Sequence, residues 1–290
     1  FFYDIPIDEI ALVSTSKFAE DKRVINIYNT VGFFTSKNIP FELNNQFSSQ
    51  ETTEEFLEES VNFDHTIHCS QPSKVIKKPP EPFITSTLQQ AASNNFHWGP
   101  KETMRSAQTL YENGYITYMR TDCKKYSEEF VDKTKKYIVD TYQDKYLHED
   151  LYSLSNSNND DNKSKSKKNN SEDKVEAQEA HEAIRPTNIE IATINKDTIT
   201  ARDKNLYKLI RNNTLKSCMA NSIFSKINAI IAAPMDTKYS YNSNICVFKG
   251  WKIVDDTDED DPYYSYLPNI NNHMITYNKI KCKTSIKNQK

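Results

Sequence analysis

The densest set of residues able to do chemistry lies at Tyr115-Ile116-Thr117-Tyr118-Met119-Arg120-Thr121-Asp122. A tyrosine oxygen can attack a phosphodiester in line, and the reverse reaction restores the strand without an outside energy source. A free phenol ionises near pH ~10, so such a tyrosine needs local help to lose its proton and to hold charge on the phosphate. Arg120 stands two residues from Tyr118, and in extended backbone that puts both side chains on one face. Its planar guanidinium can donate two bonds to phosphate oxygens. Taken alone, Tyr-x-Arg is weak, because a structural tyrosine beside a surface arginine is the commoner arrangement.

A second candidate is Ala180-His181-Glu182-Ala183-Ile184-Arg185-Pro186-Thr187, in which His181 can donate to a phosphate or stabilise a departing oxygen. A lone histidine beside a glutamate is more often structural. Two other clusters carry less. His65, His68 and Cys69 lie close together, but without a partner cluster they read as ordinary loop residues rather than metal ligands. The run Asp255-Asp256-Thr257-Asp258-Glu259-Asp260-Asp261 reads as a solvated acidic loop.

The elements around these residues follow from periodicity. Residues 1 to about 77 read as short strands, among them Val24-Ile25-Asn26-Ile27-Tyr28 and a run ending in Phe33-Phe34. Ser48 to Glu59 is acidic with helical potential behind a Ser or Thr cap. Pro79, Pro80 and Pro82 mark a boundary. A helix is expected from Pro100 in its first turn to Gly114 at its C-terminal cap, with Met104, Ala107, Leu110 and Tyr111 on an apolar face. Gln108 and Glu112, four apart, share another face. Tyr115 to Met119 then reads as a short strand or extended segment.

A further helix is expected from Ser127 to Tyr142, buried through Phe130, Val131, Tyr137 and Ile138. Ser155 to Asp173 is almost wholly Ser, Asn, Lys and Asp and is expected to be a disordered insertion. Thr200, with Asp203 three residues on, caps a helix buried through Leu206, Tyr207, Ile210 and Leu215. From Ile223 the period changes to two, and another strand is expected at Ile245-Cys246-Val247-Phe248 with Gly250 in a turn. The class is α+β, with a helical middle between β-rich ends: residues 1–77, 78–221 and 222–290.

Composition sets outer bounds. A chain of 290 residues can hold two ordinary domains. Its net charge of -3 and pI near 6.1 carry no global basic footprint, so any nucleic-acid site must be local. The five cysteines lack Cys-x-x-Cys spacing, which indicates neither a disulfide framework nor a zinc ribbon and suits a reduced compartment. No apolar stretch approaches the ~20 residues that span a membrane. The start at Phe1 and the polar end suggest a piece of a longer protein, from which a targeting segment could have been lost.

Pro82-Phe83-Ile84-Thr85-Ser86-Thr87-Leu88-Gln89-Gln90, the Tyr118 segment, and Ala177-Gln178-Glu179-Ala180-His181-Glu182-Ala183-Ile184-Arg185-Pro186-Thr187 together resemble type IA DNA topoisomerases, in that family's order. Phe248-Lys249-Gly250-Trp251 resembles a later family segment more weakly. The resemblance is strong from Pro82 to Arg211 and loose in the flanking β regions. Met119, where topoisomerase III usually has proline and reverse gyrase often histidine, points to the bacterial topoisomerase I branch.

The resemblance implies that Tyr118 forms a 5′-phosphotyrosyl link and leaves a free 3′-hydroxyl. It implies that Arg120 clamps the scissile phosphate, that His181 contacts it, and that Arg120, His181 and Arg185 touch DNA. Gln108, Glu112, Thr117, Thr121 and Asp122 are implied to orient the reacting groups. Cys123 departs from the usual serine and replaces a good hydroxyl partner by a weak one. The implied fold is a helical tyrosine domain inserted into a β-rich arch that acts as the hinge of a toroid.

The implied cofactor is Mg²⁺, held by an acidic Toprim domain that has no counterpart in this sequence; no metal ligand is expected in the chain itself. The implied partners are single-stranded or negatively supercoiled DNA and the Toprim and gate domains of the same chain. A monomer is expected, in a DNA-containing intracellular compartment (nucleoid, nucleus or organelle). The competing reading is a non-catalytic gate module that binds single-stranded DNA. Tyrosine recombinases are rejected because their tyrosine comes last, whereas His181 follows Tyr118.

Overall fold

The computed structural model describes residues 24–155, 182–257, 260–271 and 273–288. The Ser155–Asp173 insertion, except for Ser155 itself, and His181 therefore lie outside the described residues. The chain divides into two units: 1–69 with 228–241 and 268–290, and 70–227 with 242–267.

The first unit is antiparallel sheet with one helix. Its strands are β1 (Val24–Phe33), β2 (Pro40–Phe47), β3 (Ile67–Cys69), parts of two long strands β5 (Ser222–Ala233) and β6 (Thr237–Phe248), and β7 (Lys279–Asn288). The order is β3-β5-β6-β2-β1-β7. β1 is one ten-residue strand rather than two short ones, and it pairs along its whole length with β7, from Val24↔Asn288 to Phe33↔Lys279. Helix α1 (Gln50–Val61) starts behind Ser49, whose side chain accepts from the Thr52 N–H. Phe41, Phe56, Ile67 and Tyr239 are fully buried, and Phe34 meets Tyr239 edge-on at 4.9 Å. Gly32 is required here: a Cβ would come within 2.3 Å of the Phe34 ring.

In the second unit, β4 (Ser73–Lys77) pairs with the first half of β5, Ser73↔Lys226 to Lys77↔Ser222. Four helices follow: α2 (Thr85–Phe96), α3 (Pro100–Glu112), α4 (Glu128–Tyr142) and α5 (Ala201–Ser217). This unit is wider than 78–221. It begins at 70 because β4 belongs to it through β5, and it regains 242–267 from the region read as β-rich.

The caps are those the sequence calls for. Pro100 is the first residue of α3, and Gly114, just beyond its end, has φ +75°. Thr200 and Asp203 form a reciprocal capping box on α5. Buried Asp203 also accepts a 2.5 Å bond from Ser106 Oγ, which ties α5 to α3.

Helix α5 serves two cores. Leu206, Tyr207 and Ile210 pack with Leu88, Ala107, Leu110, Ile116 and Met119. Leu215 and Cys218 pack with Tyr126, Phe130, Val131 and Ile138. The first core underlies the tyrosine segment, so burying Ile116 and Met119 fixes which of their neighbours face outward.

One loop reading changes and another gains detail. His68 and Cys69 lie on β3, where alternation exposes the first and buries the second, while His65 is buried with its Nδ1 2.8 Å from the Ala232 carbonyl oxygen. The described residues of the acidic run are mostly exposed, as expected of a solvated loop, and are also tied down. Asp255 pairs with Lys216 and Asp256 with Lys249, while Asp260 and Asp261 accept from the backbone N–H groups of Cys246 and Tyr263.

Candidate active site around Tyr118

Tyr115 to Met119 is not a ladder strand; it carries a single antiparallel bridge, Ile116↔Pro186. Its shape comes instead from bonds to two other stretches. The Thr117 N–H donates to the Arg185 carbonyl at 3.0 Å, the Thr117 hydroxyl donates to the Ala183 carbonyl at 2.8 Å, and the Arg185 N–H donates back to that hydroxyl at 3.0 Å. The Thr187 N–H donates to Tyr115, and its hydroxyl to the Gly114 carbonyl at 2.7 Å. On the other side stands Thr85, the first residue of α2. Its N–H donates to the Thr121 carbonyl, its hydroxyl to the Met119 carbonyl at 2.9 Å, and the Thr121 N–H returns to that hydroxyl at 3.0 Å.

With the backbone so held, side-chain direction is decided by burial. Ile116 and Met119 are 1% exposed, whereas Tyr118 is 46% exposed and Arg120 is exposed too. Tyr118 meets Tyr111 of α3 edge-to-face at 5.3 Å, a favoured arrangement of aromatic quadrupoles. Among the described residues no side chain pairs with the Arg120 guanidinium, so its donors remain available.

Gln108 donates to Glu112 at 2.7 Å, as expected of neighbours one turn apart. Thr121 uses its hydroxyl to accept from the Cys123 N–H at 3.1 Å, while the Cys123 thiol reaches only a weak 3.9 Å contact with the Lys125 carbonyl. Asp122 is exposed and lines a cleft of about 440 Å³ with Ser86, Gln89 and Arg120.

Arg185 is turned inward. Its Nε donates to Glu182 at 2.6 Å, its Nη2 lies 2.5 Å from the same carboxylate, and its Nη1 donates to the Pro186 carbonyl at 3.0 Å. The guanidinium also covers the Phe130 ring at 4.1 Å. Burial draws its pKa below the usual arginine range, and Glu182 offsets part of that.

Sequence reasoning assigned no role to Thr85 and placed Tyr111 on the apolar face of α3, where it is instead exposed and lies against Tyr118. Thr85 sits inside the Pro82–Gln90 motif, and a hydroxyl at the first position of a helix is the signal that could have raised it. Among the described residues no three His, Cys, Asp or Glu side chains converge.

The model of the family described as DNA topoisomerase matches residues 18–289. The chain belongs to the bacterial-type type IA DNA topoisomerase family. It is 41% identical over 177 residues to DNA topoisomerase 1 of Buchnera aphidicola from Acyrthosiphon pisum, covering 61% of this chain and 18% of that protein. It is 34% identical over 246 residues to DNA topoisomerase 1 of the Schizaphis graminum Buchnera, covering 85% and 25%. The chain thus spans a quarter or less of the length of these relatives. Full-length topoisomerase I of Thermotoga maritima superposes with a TM-score of 0.67 at 22% identity, covering 92% of this chain and 42% of that one, a likeness of fold.

Proposed function

We propose that Tyr118 is the nucleophile of a type IA DNA topoisomerase, and that this chain supplies the tyrosine side of its active site. The observation that supports the reading is the exposure of both Tyr118 and Arg120, two residues apart, on a backbone held at Thr117, Met119 and Thr121 by hydrogen bonds. In the proposed reaction the Tyr118 oxygen bonds to phosphorus and the bond to the 3′ oxygen breaks. A 5′-phosphotyrosyl link and a free 3′-hydroxyl result; the phenol loses a proton and the 3′ oxygen gains one. Reversal reseals the strand after another has passed, which relaxes negatively supercoiled DNA without ATP.

Arg120 clamps the phosphate oxygens and stabilises their charge. His181 contacts the same phosphate. Thr117 and Thr121 act on the backbone, while Gln108 and Glu112 brace α3 beside the tyrosine. Arg185 is assigned a positioning role in place of DNA contact, because its donors are engaged by Glu182 and the Pro186 carbonyl. The helical unit is read as inserted into a β-rich arch, with Mg²⁺ held by a Toprim domain of the intact protein.

The same reading makes the 290-residue chain by itself a binder of single-stranded DNA that does not cut. The test is a full-length protein carrying Tyr118→Phe, assayed on negatively supercoiled plasmid and on end-labelled single-stranded oligonucleotide with Mg²⁺. Covalent label transfer and relaxation are expected to fall by about 10⁴-fold or more. Relaxation at the parent rate sinks the assignment. Label transfer by the 290-residue chain alone would overturn its reading as a non-cutting binder.

A further inference from the structure

The arginine of the tyrosine segment lines two clefts. The second cleft, about 460 Å³, is lined by Gln89, Lys101, Met104, Arg105, Gln108 and Arg120. This volume is in the range of ~300–1,000 Å³ typical of small-ligand sites. Lys101 and Arg105 are four residues apart on α3, so they share a face, separated by ~6 Å along the axis. Gln108 continues that stripe and Arg120 closes it.

The charge is one-sided. Lys101 and Arg105 are exposed, and among the described residues no carboxylate pairs with either of them or with Arg120. The acids of the same helix are engaged elsewhere, Glu102 with Arg202 and Glu112 with Gln108. Three cations around one concavity repel each other until an anion enters, and the cleft walls concentrate their field. The amide groups of Gln89 and Gln108 add neutral hydrogen-bonding groups. This combination of fixed cations and amides suits phosphodiester oxygens and carries no base-reading geometry.

We propose that Lys101 and Arg105 form a phosphate subsite for the DNA strand bound at Tyr118, holding backbone phosphates next to the one that Arg120 clamps. The inference rests on the reading of this chain as a DNA-binding topoisomerase segment and deepens it. Its effect is on positioning and affinity: a strand held beside the scissile phosphate as well as at it is less free to swing that phosphate away from the phenol.

The experiment is fluorescence anisotropy of a labelled single-stranded oligonucleotide with the 290-residue chain. It compares the parent, the Lys101→Gln/Arg105→Gln double variant and a charge-matched control, Lys136→Gln/Lys208→Gln, whose lysines line neither cleft. Losing two phosphate contacts should lower the log–log salt slope by about 1.4 between about 50 and 200 mM KCl, which is roughly 25-fold in affinity at ~0.1 M. The control should stay within about twofold of the parent.

A double variant with the parent's slope and affinity, an equal loss in the control, or no binding of the oligonucleotide by the parent chain overturns the proposal. Binding of inorganic phosphate that depends on Lys101 and Arg105, with oligonucleotide affinity that does not, reassigns the cleft to a free anion and overturns it too. Binding is read without cleavage, so a Tyr118→Phe protein that still relaxes plasmid would remove the nucleophile assignment and leave this result standing.

Discussion

Two short stretches run side by side in the helical unit, and each carries an arginine. In Tyr118 to Asp122 the guanidinium of Arg120 is exposed and unpaired among the described residues; in Glu182 to Thr187 that of Arg185 is held by Glu182, the Pro186 carbonyl and the Phe130 ring. The residue type is the same, and only the surroundings differ. A cation held by its own fold braces structure, whereas one left open at a cleft can meet a ligand. The difference separates catalytic from structural arginines more sharply than a motif does.

The largest expected effect falls on the open side. Arg120→Ala should lower the rate of cleavage by full-length protein by about 10²–10³-fold, while its stability changes by no more than ~0.5 kcal/mol. A variant that loses stability and keeps its rate would reverse the roles of the two arginines.

Arg185→Ala should show the opposite pattern. It leaves the Glu182 carboxylate mostly buried without its cation, at a cost of about 3 kcal/mol in denaturant unfolding. Thr117→Val removes the hydroxyl that bonds both Ala183 and Arg185, and should cost about 2 kcal/mol together with some cleavage rate. If Thr117→Val alters neither quantity, the two stretches are not coupled through that hydroxyl.

Alkali is expected to act on the two cores that α5 serves. Burial raises the Cys218 thiol from 9.0 to about 12, raises the Tyr207 phenol from 10.0 to about 12, and pushes Tyr126 higher still. The folded state favours the protonated forms, so their contribution is complete below pH 9.0, the unfolded thiol value, and is lost as pH rises toward about 12. Unfolding free energy measured across that window should decline. Tyr126→Phe should flatten the decline, at a cost of about 1 kcal/mol for the lost bond to Ser217. Least of all, Cys123→Ser should shift stability by under ~0.5 kcal/mol, because the backbone N–H of Cys123, not its thiol, makes the close bond.

What could be read in the sequence was local. Pro100 and Gly114 bracket α3, Thr200 and Asp203 open α5, and the period of two from Ile223 is β5. Tyr118 and Arg120 were legible as exposed groups of one motif, but not through strict alternation: Ile116, two residues before Tyr118, is buried, and the backbone bends at Met119 and Arg120. The remainder depended on distant partners. Thr85 becomes a brace only because Met119 and Thr121, more than thirty residues on, come to its hydroxyl. β4 joins the helical unit through a strand some 150 residues away in sequence. Arg185 turns inward because Phe130 and Glu182 are there to receive it, and no spacing rule contains that.

The bonds that hold Thr117, Met119 and Thr121 also have an entropic meaning. Restricting five residues of backbone costs about 5–10 kcal/mol, at ~1–2 kcal/mol per residue. Here that cost is met once, when the chain folds around Thr85 and Arg185, and not again each time a substrate arrives. What is left to fix at Tyr118 is two side-chain torsions, and the Tyr111 ring already narrows them. For a tyrosine proposed as a nucleophile, so little freedom to lose would bring each encounter closer to a reactive pose.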